Sequence, residues 1–224
     1  VTNINFMDKL KVLSEINVEN IFSFQIINPV YLDFTSANKE LKNIDLNSEE
    51  FVKYVFDKIG NRIGIGKYDE KRTIYDRSEL FSGDKRNIHL GIDLWTKEET
   101  PIFAILDGKV HSFNDNNNFG DYGPTIILEH IENGIKFFTL YGHLSKDSLN
   151  DKLIGKKIKK GEKFAKIGSY DVNGNWPPHL HFQIIFDMEN KKGDYYGVTS
   201  DENKDKYLKN CPDPNILLRI KSKK

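Results

Sequence analysis

Two histidines close together carry the strongest chemical signal in the chain. His179 and His181 lie in a stretch that follows Pro177-Pro178 and continues through the apolar residues 182–186, a pattern that predicts a strand. Side chains two apart on a strand point to the same face, with Cα atoms roughly 6.6 Å apart. Both imidazoles can therefore reach one small object, while Leu180 points into a core. Two histidines on a solvated strand face are the simpler alternative.

A second pair of candidate ligands lies upstream. His89 and Asp93 are four residues apart, which in an ideal strand separates their Cα atoms by roughly 13 Å. Metal–ligand bonds are only about 2 Å long, so the chain must bend if both side chains are to bind one ion. Gly91, between them, permits such a bend. Taken alone, this spacing is common by chance, and it gains weight only from the histidines downstream.

Together these residues predict a zinc site. Zinc takes nitrogen and oxygen ligands in tetrahedral geometry, and a catalytic zinc keeps three protein ligands and one position for water. His89, Asp93 and one of the two strand histidines form such a set, and the spacing does not decide which histidine it is. The other strand histidine and His143 would then be free to handle protons and an oxyanion. Water on such a zinc has a pKa near ~7, so hydroxide is available at neutral pH.

From His89 onward, short apolar segments alternate with turns. Asp107-Gly108 and Glu132-Asn133-Gly134 are turn sequences. The predicted strands between the turns cover residues 101–106, 109–113, 125–130, 135–143 and 163–167. Several short strands at this spacing predict a mainly β fold, with an antiparallel β-sandwich or half-barrel as the catalytic domain.

Residues 1–80 predict a smaller, mixed α/β N-terminal extension. A helix is expected over residues 8–16, and one or two strands over residues 21–34, which Pro29 interrupts. A second helix begins at Asn47 as its N-cap, with Glu50 three residues later, and ends at Gly60. No residue in this segment carries recognisable chemistry. We therefore expect the extension to pack against the β domain or cover one end of the site.

Composition bounds the classes of protein to which the chain can belong. Its 224 residues carry 33 basic and 33 acidic side chains, a balance that argues against nucleic-acid binding through bulk positive charge. The one cysteine, Cys211, rules out an internal disulfide and is expected to be structural. No apolar run approaches 18 residues, so we expect no membrane span. The chain begins at Val1 without a signal peptide, and a processed product is expected.

Three motifs in fixed order resemble those of a known family. They are His89 to Asp93, then Tyr141-Gly142-His143-Leu144-Ser145, and then His179-Leu180-His181-Phe182. They look like the motifs of the lysostaphin-like zinc metallopeptidases, which cut peptide bonds in bacterial peptidoglycan and share a duplicated hybrid motif β fold. Thr100-Pro101, residues 107–110 and the glycine turns of residues 155–168 also match in order and spacing. The resemblance covers about residues 86–187.

The resemblance assigns roles that spacing alone left open. It implies one zinc ion held by His89, Asp93 and His181, with His143 and His179 as the catalytic pair. The implied activity is a zinc metalloendopeptidase that hydrolyses peptidoglycan stem or cross-bridge peptides, located in the periplasm or outside the cell. The predicted domains are an N-terminal extension (1–80), a zinc metallopeptidase-like β domain (81–190) and an irregular tail that packs on it (191–224).

Two other functions remain as alternatives. The first is a non-hydrolytic module that binds cell wall or activates a partner enzyme, with its metal site occluded. Relatives of that kind usually lack some of the ligands, whereas this chain keeps all five motif residues, and the N-terminal extension is the candidate for the occluding segment. The second is an intracellular phosphate-carrier module with paired histidines, which would not need Asp93 beside His89.

Overall fold

The protein is described here by a computed structural model of residues 4–83 and 85–221; the first three residues of the predicted extension and the last three of the predicted tail lie outside that range. Within the described residues the helices are α1 (Phe6–Glu15), α2 (Glu49–Ile59), α3 (Lys204–Asn210) and α4 (Asn215–Leu218), with four 3-10 turns at Lys39–Asn43, Ile74–Arg77, Glu79–Phe81 and Lys146–Leu149. The strands are β1 (Val30–Leu32), β2 (Gly64–Gly66), β3 (Ile88–His89), β4 (Ile92–Trp95), β5 (Pro101–Phe103), β6 (Gly108–Asn116), β7 (Gly123–Glu132), β8 (Ile135–Gly142), β9 (Lys157–Ile158), β10 (Lys163–Lys166), β11 (His179–Ile185) and β12 (Val198–Thr199).

One large sheet organises the molecule. Its eight strands lie in the order β1-β2-β4-β11-β8-β7-β6-β9. Only β1 and β2 pair in parallel, and every other neighbouring pair in this sheet is antiparallel. Two small antiparallel sheets, β10 with β5 and β12 with β3, complete the strand pairing. The predicted mainly β fold with a mixed N-terminal extension is confirmed.

The sheet is buried on both faces because its strands are apolar on both sides. Along β11, Leu180, Phe182 and Ile184 enter the main core, whereas Ile185 joins a second cluster on the opposite face. Strand β8 divides in the same way, with Phe137 and Tyr141 on one side and Phe138 and Leu140 on the other. The alternation of side chains along a strand therefore sends His179, His181 and Gln183 to the face opposite Leu180.

The N-terminal extension is joined to the β domain through the sheet. Strand β2 pairs with β4, with Gly66 opposite Asp93, and β1 pairs with β2 outside it. Helix α2 packs its buried Phe51 against Phe34, Trp95 and Trp176. The sheet thus runs across the predicted boundary at residue 80, and the division of the chain into domains stays a prediction.

Local predictions in the extension differ from the structure in two places. Of the one or two strands predicted over residues 21–34, the structure has one, β1, which follows Pro29; residues 21–28 do not pair as a strand, and a backbone hydrogen bond from Phe103 to Ile21 holds them near β5. The N-cap of α2 is Ser48 rather than Asn47, because the Ser48 hydroxyl accepts the hydrogen bond from the Glu50 backbone N–H. The capping residue was therefore misplaced by one position.

The C-terminal tail is more regular than the sequence predicted. It contributes β12, α3 and α4, and the residues Cys211 to Pro214 separate α3 from α4. The Asp213 carboxylate accepts a hydrogen bond from the backbone of Asn215 and so favours the start of α4. Cys211 is fully buried, and its carbonyl accepts a hydrogen bond from the Tyr68 hydroxyl at 2.7 Å. Among the described residues, no helix is both long and apolar enough to cross a membrane.

Candidate metal centre

Three side chains meet at one point, two of them from adjacent strands of the large sheet and one from β3 of a small sheet. Strand β11 lies beside β4 with His181 directly opposite Asp93, and His89 approaches from the end of β3. The Nε2 atom of His89 is 3.0 Å from Nδ1 of His181 and 3.2 Å from Oδ1 of Asp93. Nδ1 of His181 is 3.1 Å from the same carboxylate oxygen. The chain bends between His89 and Asp93, as the sequence required.

In His89 and His181, the ring nitrogen that faces away from the cluster is hydrogen-bonded to an acceptor, and this bond assigns the ring proton to that nitrogen. Nδ1 of His89 donates to the carbonyl of Lys67 at 2.9 Å. Nε2 of His181 donates to Oε1 of Gln183 at 2.8 Å, since the amide nitrogen of Gln183 is used as a donor to the carbonyl of Tyr196. The inward nitrogens of both rings therefore present lone pairs rather than protons.

These donors suit a divalent cation. Two imidazole lone pairs and a carboxylate oxygen point at each other with no proton between them, an arrangement that is repulsive without a cation. In a tetrahedral zinc site with bonds of 2.0–2.1 Å, neighbouring ligand atoms are separated by roughly 3.3 Å. The three observed separations, 3.0, 3.1 and 3.2 Å, are close to that value. His89, Asp93 and His181 therefore fit a zinc ion.

The second oxygen of Asp93 is tied to a buried arginine from the N-terminal extension. Nη1 of Arg72 donates to Oδ2 of Asp93 at 2.6 Å, and Nε of Arg72 donates to Glu70 at 2.8 Å. Burial alone would raise the pKa of the Asp93 carboxyl, but His89 and Arg72 beside it lower that pKa well below its usual range. The Asp93 carboxylate is therefore ionised at neutral pH, with Oδ1 directed toward the two histidines.

Two further histidines flank this group. The rings of His143 and His179 are 4.1 Å apart between centroids, and Nε2 of His179 is 3.8 Å from Oδ1 of Asp93. Nδ1 of His143 donates to the carbonyl of Asn173, and Nδ1 of His179 donates to the carbonyl of Pro177. Both Nε2 atoms are thereby left as proton acceptors.

Burial keeps these two histidines neutral. It lowers the pKa of His179 to about 4 and the pKa of His143 well below its usual value. His143 also has a left-handed backbone conformation, with φ of +61°, in the turn that follows β8. Its backbone N–H donates to the carbonyl of Tyr122, which helps to hold this uncommon conformation in place.

A comparison with sequence models of known families finds a family similar to this segment. The model for peptidase family M23 matches residues 87–194, which contain all three motifs and all five histidine and aspartate positions described above. Residues 87–194, just under half of the chain, are thus similar to peptidase family M23. A comparison with curated proteins finds no match.

Solved structures of M23 peptidases also resemble the chain. The lysostaphin catalytic domain from Staphylococcus simulans matches at 24% identity and a TM-score of 0.41, covering 78% of this chain and 99% of that one. The catalytic domain of a mutant of the prophage-encoded M23 protein EnpA from Enterococcus faecalis matches at 24% identity and a TM-score of 0.38, covering 49% and 79%. A zinc-containing peptidase from Vibrio cholerae matches at 30% identity and a TM-score of 0.34, covering 44% and 27%.

The chain is shorter than some of these relatives. It spans 27% of the Vibrio cholerae protein and 43% of an M23 peptidase from Pseudomonas aeruginosa. Similarity over so small a part does not assign the activities and partners of those longer proteins to this chain.

A cavity of about 170 Å³ is lined by four of the five motif residues, all except His89. Its floor includes Asp93, His143, His179 and His181, and its walls are rich in aromatic side chains. The aromatic residues among those lining it are Tyr75, Phe81, Trp95, Tyr122, Trp176, Tyr195 and Tyr196. The site is thus a narrow cleft, in which less than a tenth of each motif histidine is exposed.

The structure brings together all five residues singled out in the sequence and separates them from the remaining histidines. His111 lies near Phe138 and Lys136 on another surface, and His130 is buried between Asp107 and Thr139. Both ring nitrogens of His130 are thus bonded away from the candidate ligands.

Three residues near the ligands were missed in the sequence. Gln183 holds His181 and could have been found, because it is two residues further along the same strand face. Tyr122, whose hydroxyl lies 3.3 Å from Nε2 of His181, and Arg72 come from segments with no regular spacing to the motifs. The expectation that the extension carries no chemistry is therefore wrong for Arg72, which contacts a candidate ligand directly.

Proposed function

We propose that the protein is a zinc metalloendopeptidase that hydrolyses peptide bonds in the stem or cross-bridge peptides of bacterial peptidoglycan. The observation that carries this proposal is the convergence of three lone-pair donors, His89, Asp93 and His181, beside two neutral histidines that line the same cavity. The similarity of residues 87–194 to peptidase family M23 supports peptide-bond hydrolysis as the reaction.

In this proposal one zinc ion is held by His89, Asp93 and His181. Zinc bound there supplies Lewis acidity, which makes water nucleophilic at neutral pH and polarises a carbonyl group. The protein's own contribution is to keep the three donors unprotonated and aimed at one point. Lys67, Gln183 and Arg72 do so through their hydrogen bonds to the far side of each ligand.

His143 and His179 are proposed as the catalytic pair. Each has an Nε2 lone pair, because its Nδ1 proton is held by a backbone carbonyl. A neutral imidazole next to the attacking water accepts its proton, and the resulting imidazolium can donate that proton to the leaving amine. The other imidazole also has its Nδ1 proton on a backbone carbonyl, so it can donate a hydrogen bond to the oxyanion only as an imidazolium, with a second proton at Nε2.

Substrate class and location follow from the family resemblance. It implies peptides of small residues and D-amino acids rather than hydrophobic peptides, and the narrow cleft of about 170 Å³ supports small side chains next to the scissile bond. Peptidoglycan as the substrate implies the periplasm or the cell exterior as the location. No nucleic-acid partner is proposed, since the net charge of the chain is zero.

The proposal is tested by incubating the purified, zinc-loaded protein with cell-wall sacculi, with and without a chelator. We expect new amino termini to be released, release to stop with the chelator, and activity to return when zinc is added. His179→Ala should abolish release, whereas His111→Ala, a histidine substitution outside the site, should not. Binding to sacculi without release would instead favour the non-hydrolytic module with an occluded site.

A further inference from the structure

Two of the three candidate ligands are supported by a segment that precedes the M23 match. Residues 64–75, from the start of β2 to Tyr75, are defined here as the support segment; the family model begins only at residue 87. The carbonyl of Lys67 accepts the Nδ1 proton of His89, and Arg72 donates to Asp93. The same short segment therefore contacts His89 and Asp93 on the sides that face away from the proposed ion.

The Arg72 side chain is buried, and its guanidinium donates hydrogen bonds to four partners. Only 1% of the side chain is exposed. Besides Asp93, its guanidinium donates to Glu70 at 2.8 Å, to the Tyr75 hydroxyl at 3.1 Å and to the Lys67 carbonyl at 3.2 Å. A planar guanidinium with four partners cannot rotate, so the direction of its bond to Oδ2 of Asp93 is fixed.

The backbone of β2 leaves room for this contact. Gly66 lies opposite Asp93 in the sheet, and a Cβ atom at residue 66 would be 2.7 Å from Nη2 of Arg72 and 2.9 Å from Oδ2 of Asp93. Both distances are shorter than real Cβ contacts, so any side chain at this position would displace the pair. The missing side chain at Gly66 allows the arginine and the carboxylate to meet.

The charges of this group favour a cation at the ligands. Arg72 carries one positive charge between the two buried carboxyl groups of Glu70 and Asp93, each less than a tenth exposed. Burial raises the pKa of the Glu70 carboxyl, which shows that a second negative charge beside one guanidinium is costly unless it is protonated or a further positive charge is present. A divalent cation at His89, Asp93 and His181 provides that charge on the side of Asp93 that Arg72 does not reach.

From these contacts we infer that Arg72 is a positioning residue that turns Oδ1 of Asp93 toward the metal, and that the support segment is a required part of the active site rather than a removable cover. The inference rests on the proposed function, because it assumes a metal at the three ligands. Arg72 reaches the edge of the cavity, but its guanidinium is bonded to Asp93, and we infer that it acts through Asp93.

The test measures metal affinity and coordination separately from folding. Arg72→Met removes the donors at similar length, and we expect the zinc Kd, measured by competition with a chromophoric chelator, to weaken by about 10- to 100-fold. Arg72→Lys keeps the charge but cannot serve four partners, so a smaller loss is expected, and this milder variant serves if Arg72→Met does not fold. The visible spectrum of the cobalt-substituted protein should change in both variants, since it reports the arrangement of the ligands.

Arg219→Met is the matched control. Arg219 also donates to backbone carbonyls, those of Ser14 at 3.0 Å and Ile16 at 2.6 Å, but it lies away from the cavity. The Arg219→Met variant should have a lower unfolding temperature and an unchanged zinc Kd and cobalt spectrum. If the Arg72 variants match the wild type in Kd and spectrum, the positioning role is wrong. Failure of the wild type itself to bind zinc would count against the proposed function instead.

Discussion

The imidazole of His181 lies against the backbone of Gly91, so closely that a Cβ atom on residue 91 would be 2.6 Å from its Nε2 atom. Gly91 thus has a second use beyond the bend between β3 and β4. It leaves the space that the ring of a candidate ligand occupies. The orientation of the His181 imidazole on β11 therefore depends on the absence of a side chain at residue 91.

Gly91→Ala should accordingly weaken metal binding. The added methyl group would also lie 2.8 Å from the carbonyl oxygen of Phe182, so both the His181 ring and the backbone of β11 are expected to move. We expect the zinc Kd to rise at least 10-fold and the unfolding free energy to fall by about 1–3 kcal/mol, the usual cost of overpacking. Gly83→Ala is the control, because a Cβ there meets nothing within 4 Å. Equal zinc Kd values for the two variants would show that His181 tolerates the crowding.

Gln183 should matter for zinc affinity although it is not a ligand. Its Oε1 accepts the Nε2 proton of His181, and this fixes the lone pair on the nitrogen that faces Asp93. Gln183→Leu removes the acceptor, and we expect the zinc Kd, measured by chelator competition, to weaken by about 10- to 100-fold.

Thr139→Val is a suitable control for Gln183→Leu. It also removes a buried polar group from the sheet, one that contacts His130 rather than a candidate ligand. Both variants should lose stability, but only the change at Gln183 should alter zinc affinity. A parallel change in both would point to general loosening of the sheet.

The sequence predicted the parts of the site that follow from strand periodicity. His179 and His181 share a face because they are two residues apart, and the same rule applied to Gln183 would have identified the partner of His181. The bend between His89 and Asp93 followed from bond lengths alone. The mainly β fold followed from the spacing of short apolar segments and turns.

Other parts depend on contacts that no local pattern encodes. Arg72 reaches Asp93 only because β2 joins the sheet beside β4, and the sequence of β2 is too short and glycine-rich to predict that pairing. His143 is in a left-handed turn that non-glycine residues seldom adopt. Of the one or two strands predicted over residues 21–34, one forms, β1, while Ile21 and Phe22 before Pro29 pack into the main core instead of a ladder.

Buried His130 should make the protein less stable in acid. Burial lowers its pKa to about 4 in the folded state, below the unfolded value of about 6.5. Above pH 6.5 neither state binds the proton and the stability is fully present. As the pH falls from 6.5 toward 4, the unfolded chain binds a proton that the folded one does not, and up to about 3 kcal/mol is lost.

Denaturant unfolding of wild type and His130→Gln at pH 7.5 and pH 4.5, in the presence of chelator, measures this loss. The other buried histidines titrate in both proteins, so the difference between the two pH dependences isolates His130. We expect the variant to lose less stability on acidification than the wild type. Burial also lowers the pKa of the half-buried His111, so His111→Gln should lose slightly less stability than the wild type and more than His130→Gln. Parallel losses in all three proteins would mean that His130 is protonated as readily in the folded state as in the unfolded chain.

The two histidines of β11 should separate metal binding from catalysis. His181 has its Nδ1 atom 3.1 Å from Oδ1 of Asp93 and 3.0 Å from His89, whereas Nε2 of His179 is 3.8 Å from that oxygen and its ring stacks on Trp95. His181→Ala should therefore lose stoichiometric zinc, and His179→Ala should keep zinc but lose turnover. Metal content of the two purified variants, measured by elemental analysis beside the wild type, decides between these roles. Equal zinc retention in both variants would contradict the assignment of His181 as a ligand. Zinc loss in His179→Ala alone would reverse the two roles, because removing a ligand is expected to release the ion.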